Sequence, residues 1–219
     1  MKKIIDRVTV ELKAFEEKTK LFTTIQSFKI PFTLPTLKKL VWALALGALI
    51  YLLLASVVSK SYAISASGGL TWGLLIFTIF VSLVNKILPR LRIASQLLPL
   101  RKESGVFAFG FGLLHAFFFI WKINGWGDIP LHMFSSFDLT MGSLALLIMI
   151  PLFLTSTAWA IRTIGFKSWK LLHKLTHLVF IFSALHIAFK LEELEGGPIL
   201  LLLVYTGLMG YVWRKKKQK

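Results

Sequence analysis

The chain has 219 residues, of which 56% are hydrophobic and 16% charged, with a mean hydropathy of +0.72. A soluble domain carries roughly a quarter charged residues, so this balance excludes an ordinary water-soluble protein and points to an integral membrane protein. The formal charge of +16 is no nucleic-acid footprint, because Lys and Arg sit in short segments between apolar runs, and the absence of cysteine excludes disulfides and iron–sulfur clusters.

Residues 1–39 form a basic segment in which Ile4, Ile5, Val8, Leu12 and Phe15 recur at helical spacing among Lys, Asp and Glu. That pattern predicts a short amphipathic helix. Its basic character suits an anionic inner leaflet, a more economical reading than a docking site for a partner. No small-residue cleavage site is visible, so the segment does not read as a secretory signal.

Six apolar runs follow, residues 40–58, 69–89, 105–123, 141–161, 171–189 and 198–213. A bilayer core takes about 20 helical residues per crossing. The expected fold is therefore an all-α integral membrane protein, a six-helix transmembrane bundle over residues 40–213 with a basic tail at 214–219. All but Lys60, Lys122 and Lys190 of the 26 Lys and Arg residues fall on one side of such a bundle. The positive-inside rule then puts both termini in the cytoplasm. Of the opposite-side loops, residues 124–140 carry Trp126, Asp128, His132 and Asp138, and residues 190–197 carry Glu192, Glu193 and Glu195. Interfacial anchoring and solvated charge are the default readings there, ahead of a docking surface for a partner.

Ionisable side chains inside spans are costly and mark functional positions by default. His115 lies ten residues into the third run, and the fifth holds His173, His177 and His186. The third and fifth runs cross in the same direction, so His115 and His186 can reach comparable depth. Two imidazoles at one level can hold a haem iron from both sides in a dry slot between helices. The alternative is a set of hydrogen-bonded core histidines, and for His173, near the start of its span, snorkelling to the headgroups. Gly110 and Gly112 would let a flat macrocycle approach the third helix, or serve close helix packing instead. On an ideal helix, thirteen steps of about 100° turn His186 away from the face of His173, whereas His177, four residues on, shares that face.

LRKESGVFAFGFGLLH (residues 100–115), PLFLTSTAWAIRTIGFKSWKLLHKL (residues 151–175) and the His thirteen residues after His173 resemble the ferric-reductase-like transmembrane domain. Within that family they are most similar to the branch serving as haem-binding subunit of the bacterial periplasmic methionine sulfoxide reductase system. The resemblance covers residues 69–190. It implies a multi-pass inner-membrane b-type cytochrome, an electron-transfer subunit rather than a complete enzyme. By resemblance His115, His173 and His186 are the haem b ligands. Larger relatives carry a further His fourteen residues before the third-span ligand, and here that position is Arg101. A second haem would have His173 on one side and no evident mate. His177 replaces an expected aromatic residue and reads as a core hydrogen-bonding group ahead of a substitute ligand.

The chain shows no G-x-G-x-x-G loop after a strand and ends at RKKKQK, so a nicotinamide and flavin domain is not expected. The resemblance implies a donor drawn from the quinone pool or a cytoplasmic flavin reductase, an association with FMN, and an outer-side molybdopterin reductase as acceptor. Arg101 and Lys102 would neutralise haem propionates or flavin phosphate, or act only as positive-inside anchors. Two other readings stay open: a metal-ion reductase conduit, and a non-redox scaffold or small transporter with core or proton-relay histidines.

Overall fold

In the computed structural model the described residues are Lys20, Thr23, Thr24, Ser27, 29–190 and 196–218. The expected amphipathic helix around Ile4 to Phe15 and the loop glutamates Glu192, Glu193 and Glu195 lie outside them. The described residues are helical without strands, and six helices are long and apolar enough to span a membrane. These are α1 (Leu34–Val58), α2 (Lys60–Ile87), α3 (Arg92–Ile123), α5 (Phe137–Leu154), α7 (Phe166–Ala188) and α8 (Gly196–Lys217). Two short helices, α4 (Ile129–Met133) and α6 (Ala158–Ile164), lie in the connections.

Three of the spanning helices, α1, α2 and α5, start where polar caps stand rather than where apolar runs begin. Thr33 caps α1 with its hydroxyl, and Pro35 occupies the first turn, where a missing N–H costs nothing. Ser59, extended at φ −150° and ψ 107°, ends α1 and caps α2 through the Tyr62 amide, so one residue makes the hairpin. As a result α2 begins at Lys60, nine residues before the apolar run at 69. Ser136 likewise accepts from the Leu139 amide and starts α5 at Phe137, not 141. Asp138, expected in the loop, stands in the first turn of that helix.

At its other end α5 stops at Leu154, short of the expected 161. Pro151 has no N–H to donate and strains the turn before it. The Thr155 and Ser156 hydroxyls donate to the Pro151 and Leu152 carbonyls, both at 2.6 Å, and the Ser156 amide turns to the Phe153 carbonyl, so the helix closes on its own last acceptors. Thr157 then caps α6, and Gly165 at φ +81° joins α6 to α7, a left-handed position for which glycine has no steric penalty.

α2 takes part in all three clusters of buried apolar side chains: Leu75 with Ala108, Ala145 and Val179; Ala63 with Leu52 and Phe118; and Ile79 and Leu83 with Phe180 and Tyr205. Its packing against α3 and that of α5 against α7 are the most extensive in the bundle. Four inner helices, α2, α3, α5 and α7, therefore make the core, with α1 and α8 at its flanks. The buried face of α2 also carries Ser67, Thr78 and Ser82, small enough for close helix approach. Each returns its hydroxyl proton to a carbonyl four residues back, Ala63, Leu74 and Thr78, because hydrocarbon offers no water. Large apolar side chains face outward, with Val58 89% and Trp159 73% exposed, as lipid contact demands.

α1 is tied to α3 by an ion pair, Lys38 Nζ to Glu103 Oε1 at 2.7 Å. Glu103 is buried, and its Oε2 has no partner among the described residues. Removing the cation alone leaves a carboxylate buried without its counter-charge, the costly way to break such a pair. Lys38→Met is expected to lose about 1–2 kcal/mol, discounted because the lysine is half exposed. Lys38→Met/Glu103→Gln should recover most of that loss in thermal melting of the detergent-solubilised protein. Equal melting of the two variants would show that the pair carries no coupling.

Candidate functional site

The tertiary structure brings His115 of α3 and His186 of α7 together, with ring centroids 6.0 Å apart and ring planes crossed at 78°. Each imidazole is tied from behind. The Nδ1–H of His115 donates to the Ile64 carbonyl of α2 at 2.8 Å, and that of His186 donates to the Asp138 carbonyl of α5 at 2.8 Å. A carbonyl only accepts, so each bond places the proton on Nδ1 and leaves Nε2 of a neutral ring with its lone pair free. Neither Nε2 has a hydrogen-bond partner among the described residues.

This is the arrangement that orients metal-binding imidazoles, one ring nitrogen held by a backbone carbonyl and the other bare. Two metal–nitrogen bonds of about 2 Å, with about 1 Å from each nitrogen to its ring centre, need centroids on the order of 6 Å apart. The observed spacing meets that requirement. Among the described residues no three His, Asp or Glu side chains converge on a point, so protein ligands alone would leave an ion here with two donors. A tetradentate group such as a porphyrin would supply the remaining donors.

His173 stands apart. It lies in a 3-10 turn, His173–Leu175, that interrupts α7. Its ring stacks obliquely on Trp169 at 4.4 Å. Thr155 Oγ1 spends its one proton on the Pro151 carbonyl, so at 3.1 Å from His173 it accepts the Nε2–H. The Trp169 Nε1–H donates to the Thr155 carbonyl at 3.0 Å. Thr155 thus fixes both rings at the end of α5.

The 3-10 turn overturns the ideal-helix expectation that His173 and His177 share a face. Such a turn rotates about 120° per residue instead of 100°, and the two rings address different helices. His177 Nδ1 is hydrogen bonded to the Tyr205 hydroxyl of α8 at 2.9 Å. His173 and His186 both bond the α5 segment, at Thr155 and Asp138. The Arg101 Nε–H donates to the Thr78 carbonyl of α2 at 3.1 Å, and its charge acts on both His173 and His177. Lys86 acts on His177 as well, so this end of the bundle is a basic cluster.

Of the two glycines expected to face a macrocycle, Gly112 is packed. A side chain there would touch Thr71 and Leu146 at ordinary distance, whereas one at Gly110 would meet nothing within 4 Å. In the 124–140 connection, Trp126 packs on Phe117 of α3 with centroids 5.5 Å apart. Sequence reasoning missed Thr155, Tyr205 and the Ile64 and Asp138 carbonyls. The last two fall in the helical turns that precede the apolar runs.

A six-helix membrane bundle with two neighbouring, carbonyl-tied imidazoles between its inner helices is a scaffold suited to a metal-centred group. The chain belongs to the ferric reductase like transmembrane component family, whose profile matches residues 67–184. Its similarity is to the MsrQ-like members. It is 34% identical over 151 residues to the protein-methionine-sulfoxide reductase heme-binding subunit MsrQ of Azospira oryzae, covering 66% of this chain and 64% of that protein. The MsrQ of Bordetella parapertussis is 33% identical over 157 residues, covering 67% of this chain and 73% of that protein. Magnetosome protein MamZ of Magnetospirillum gryphiswaldense is 32% identical over 123 residues, 52% of this chain but 18% of that protein. The chain thus spans less than two thirds of the Azospira and Magnetospirillum relatives. No solved structure matches it.

The Thr155 hydroxyl is the acceptor for a half-buried imidazole, so Thr155→Val leaves the His173 N–H unpaired while preserving shape. The expected loss is about 1–3 kcal/mol in thermal unfolding. Thr155→Ser, which keeps the hydroxyl, should melt close to wild type.

Proposed function

We propose that the chain is a haem-binding membrane subunit that carries electrons between a donor at the basic end of the bundle and an acceptor protein at the other. The observation that supports it is the His115–His186 pair, 6.0 Å apart with both Nδ1 atoms tied to carbonyls. When bound, haem b supplies a one-electron iron couple. His115 and His186 would hold its iron through their Nε2 atoms, and the Ile64 and Asp138 carbonyls keep those rings neutral with Nε2 unprotonated. The inner helices exclude water around them. One haem is the reading favoured here, because the Nε2–H of His173 is committed to Thr155 and His177 faces Tyr205.

The positive-inside distribution supports a cytoplasmic basic end, in an inner membrane. Arg101, Lys86, His173 and His177 then stand where a quinol or a cytoplasmic flavin reductase would deliver electrons. Arg101 and Lys102 suit the phosphate of FMN or a haem propionate by charge. The acceptor would be an outer-side methionine sulfoxide reductase of the molybdopterin type, in line with the names of the MsrQ relatives.

The purified protein is expected to be red, with a b-type spectrum that sharpens on reduction with dithionite. His115→Ala and His186→Ala should each lose most of that absorbance, and His177→Phe should retain it. Full colour in both alanine variants would sink the assignment. Reduction of the membrane-embedded protein by a quinol, set against reduction by a flavin reductase with FMN, identifies the donor.

A further inference from the structure

The two tied imidazoles are seated in the same way on different helices. His115 donates to Ile64, and the residue one helical turn on is Gly68; His186 donates to Asp138, and one turn on is Gly142. A helical carbonyl already accepts the amide four residues ahead. A second donor must therefore come in from the side, over the residue that owns that amide. A Cβ built at Gly68 would lie 2.9 Å from His115 Nδ1 and 3.1 Å from Cε1. One built at Gly142 would lie 2.9 Å from His186 Nδ1 and 3.1 Å from Cε1 and Cγ. Any side chain at either place displaces the ring and stretches its bond to the carbonyl.

Neither glycine is at a turn or at positive φ, so the backbone does not require it. Glycine is the least favourable non-proline residue inside a helix, so a reason has to be found in packing. Neighbouring glycines of α2 show that the contact is particular: a Cβ at Gly69 or Gly73 meets nothing within 4 Å.

We propose that Gly68 and Gly142 are positioning residues, two matched notches that let His115 and His186 reach helix carbonyls and so fix the tautomer and the aim of both Nε2 atoms. The proposal rests on the reading of His115 and His186 as axial ligands for its functional meaning, but the seating itself belongs to the chain. In a bundle that has lost a notch, the ring is pushed off its carbonyl. Nδ1 then has no obligatory acceptor, and the proton is free to move to Nε2.

The test uses the full chain in lipid nanodiscs, with Gly68→Ala, Gly142→Ala and the neighbouring control Gly69→Ala. In haem-loaded protein, each notch variant should shift the ferric electron paramagnetic resonance signature and the reduction midpoint, while Gly69→Ala matches wild type. A merely structural packing role predicts lower stability with the signature and midpoint unmoved. Notch variants with wild-type signature and midpoint would overturn the proposal. A second measurement needs no haem and no variant: histidine 15N chemical shifts of the wild-type apoprotein should show His115 and His186 as Nδ1–H tautomers. Nε2–H tautomers there would also overturn it. If instead His115→Ala and His186→Ala keep full colour while the 15N shifts show Nδ1–H, the ligand reading fails and the seating stands.

Discussion

An N–H group in hydrocarbon has no water to turn to, and every other feature of this bundle is arranged around that constraint. The His115 and His186 rings meet it by donating to carbonyls of α2 and α5, which commits one nitrogen of each ring and leaves the other uncommitted. The same need organises the rest. Ser67, Thr78 and Ser82 return their protons to their own helix. Thr155 closes the end of α5 and takes the protons of His173 and, through its carbonyl, Trp169. Satisfying polar groups from within is what lets four helices pack closely around polar chemistry.

The arrangement separates the bundle into two ends with different character. Towards the end where α3 stops at Ile123 and α5 starts at Phe137, the two imidazoles face one another with nitrogen donors to spare. Towards the other, Arg101 is tied to Thr78, His173 to Thr155 and His177 to Tyr205, and Arg101 and Lys86 supply the positive charge. On the proposed function, one end would hold a group by its metal and the other would receive an anionic or hydrogen-bonding donor. His173 and His186 are thirteen residues apart on α7, about 20 Å of helix, so the two belong to separate ends of the bundle.

Much of this was legible before any coordinates. Six apolar runs gave six spans, and His115 and His186 stood out because polar side chains are dear in lipid. Two things were hidden. Apolar runs mark where lipid begins, not where the helix begins, so Ile64 and Asp138, in capped turns ahead of the runs at 69 and 141, were read as connection. The 3-10 turn at His173–Leu175 was hidden too, because Thr155 holds it from another helix and local spacing carries no trace of that bond.

The sequence by itself determined that the chain is a membrane bundle of six helices, how its charge is distributed, and which histidines are exceptional, since hydropathy and charge are properties of segments. Tertiary structure alone decided which histidines meet, which nitrogen of each ring carries the proton, and why Gly68 and Gly142 are glycines. Those are facts about what one helix offers another across a few ångströms, and no periodicity within a single helix encodes them.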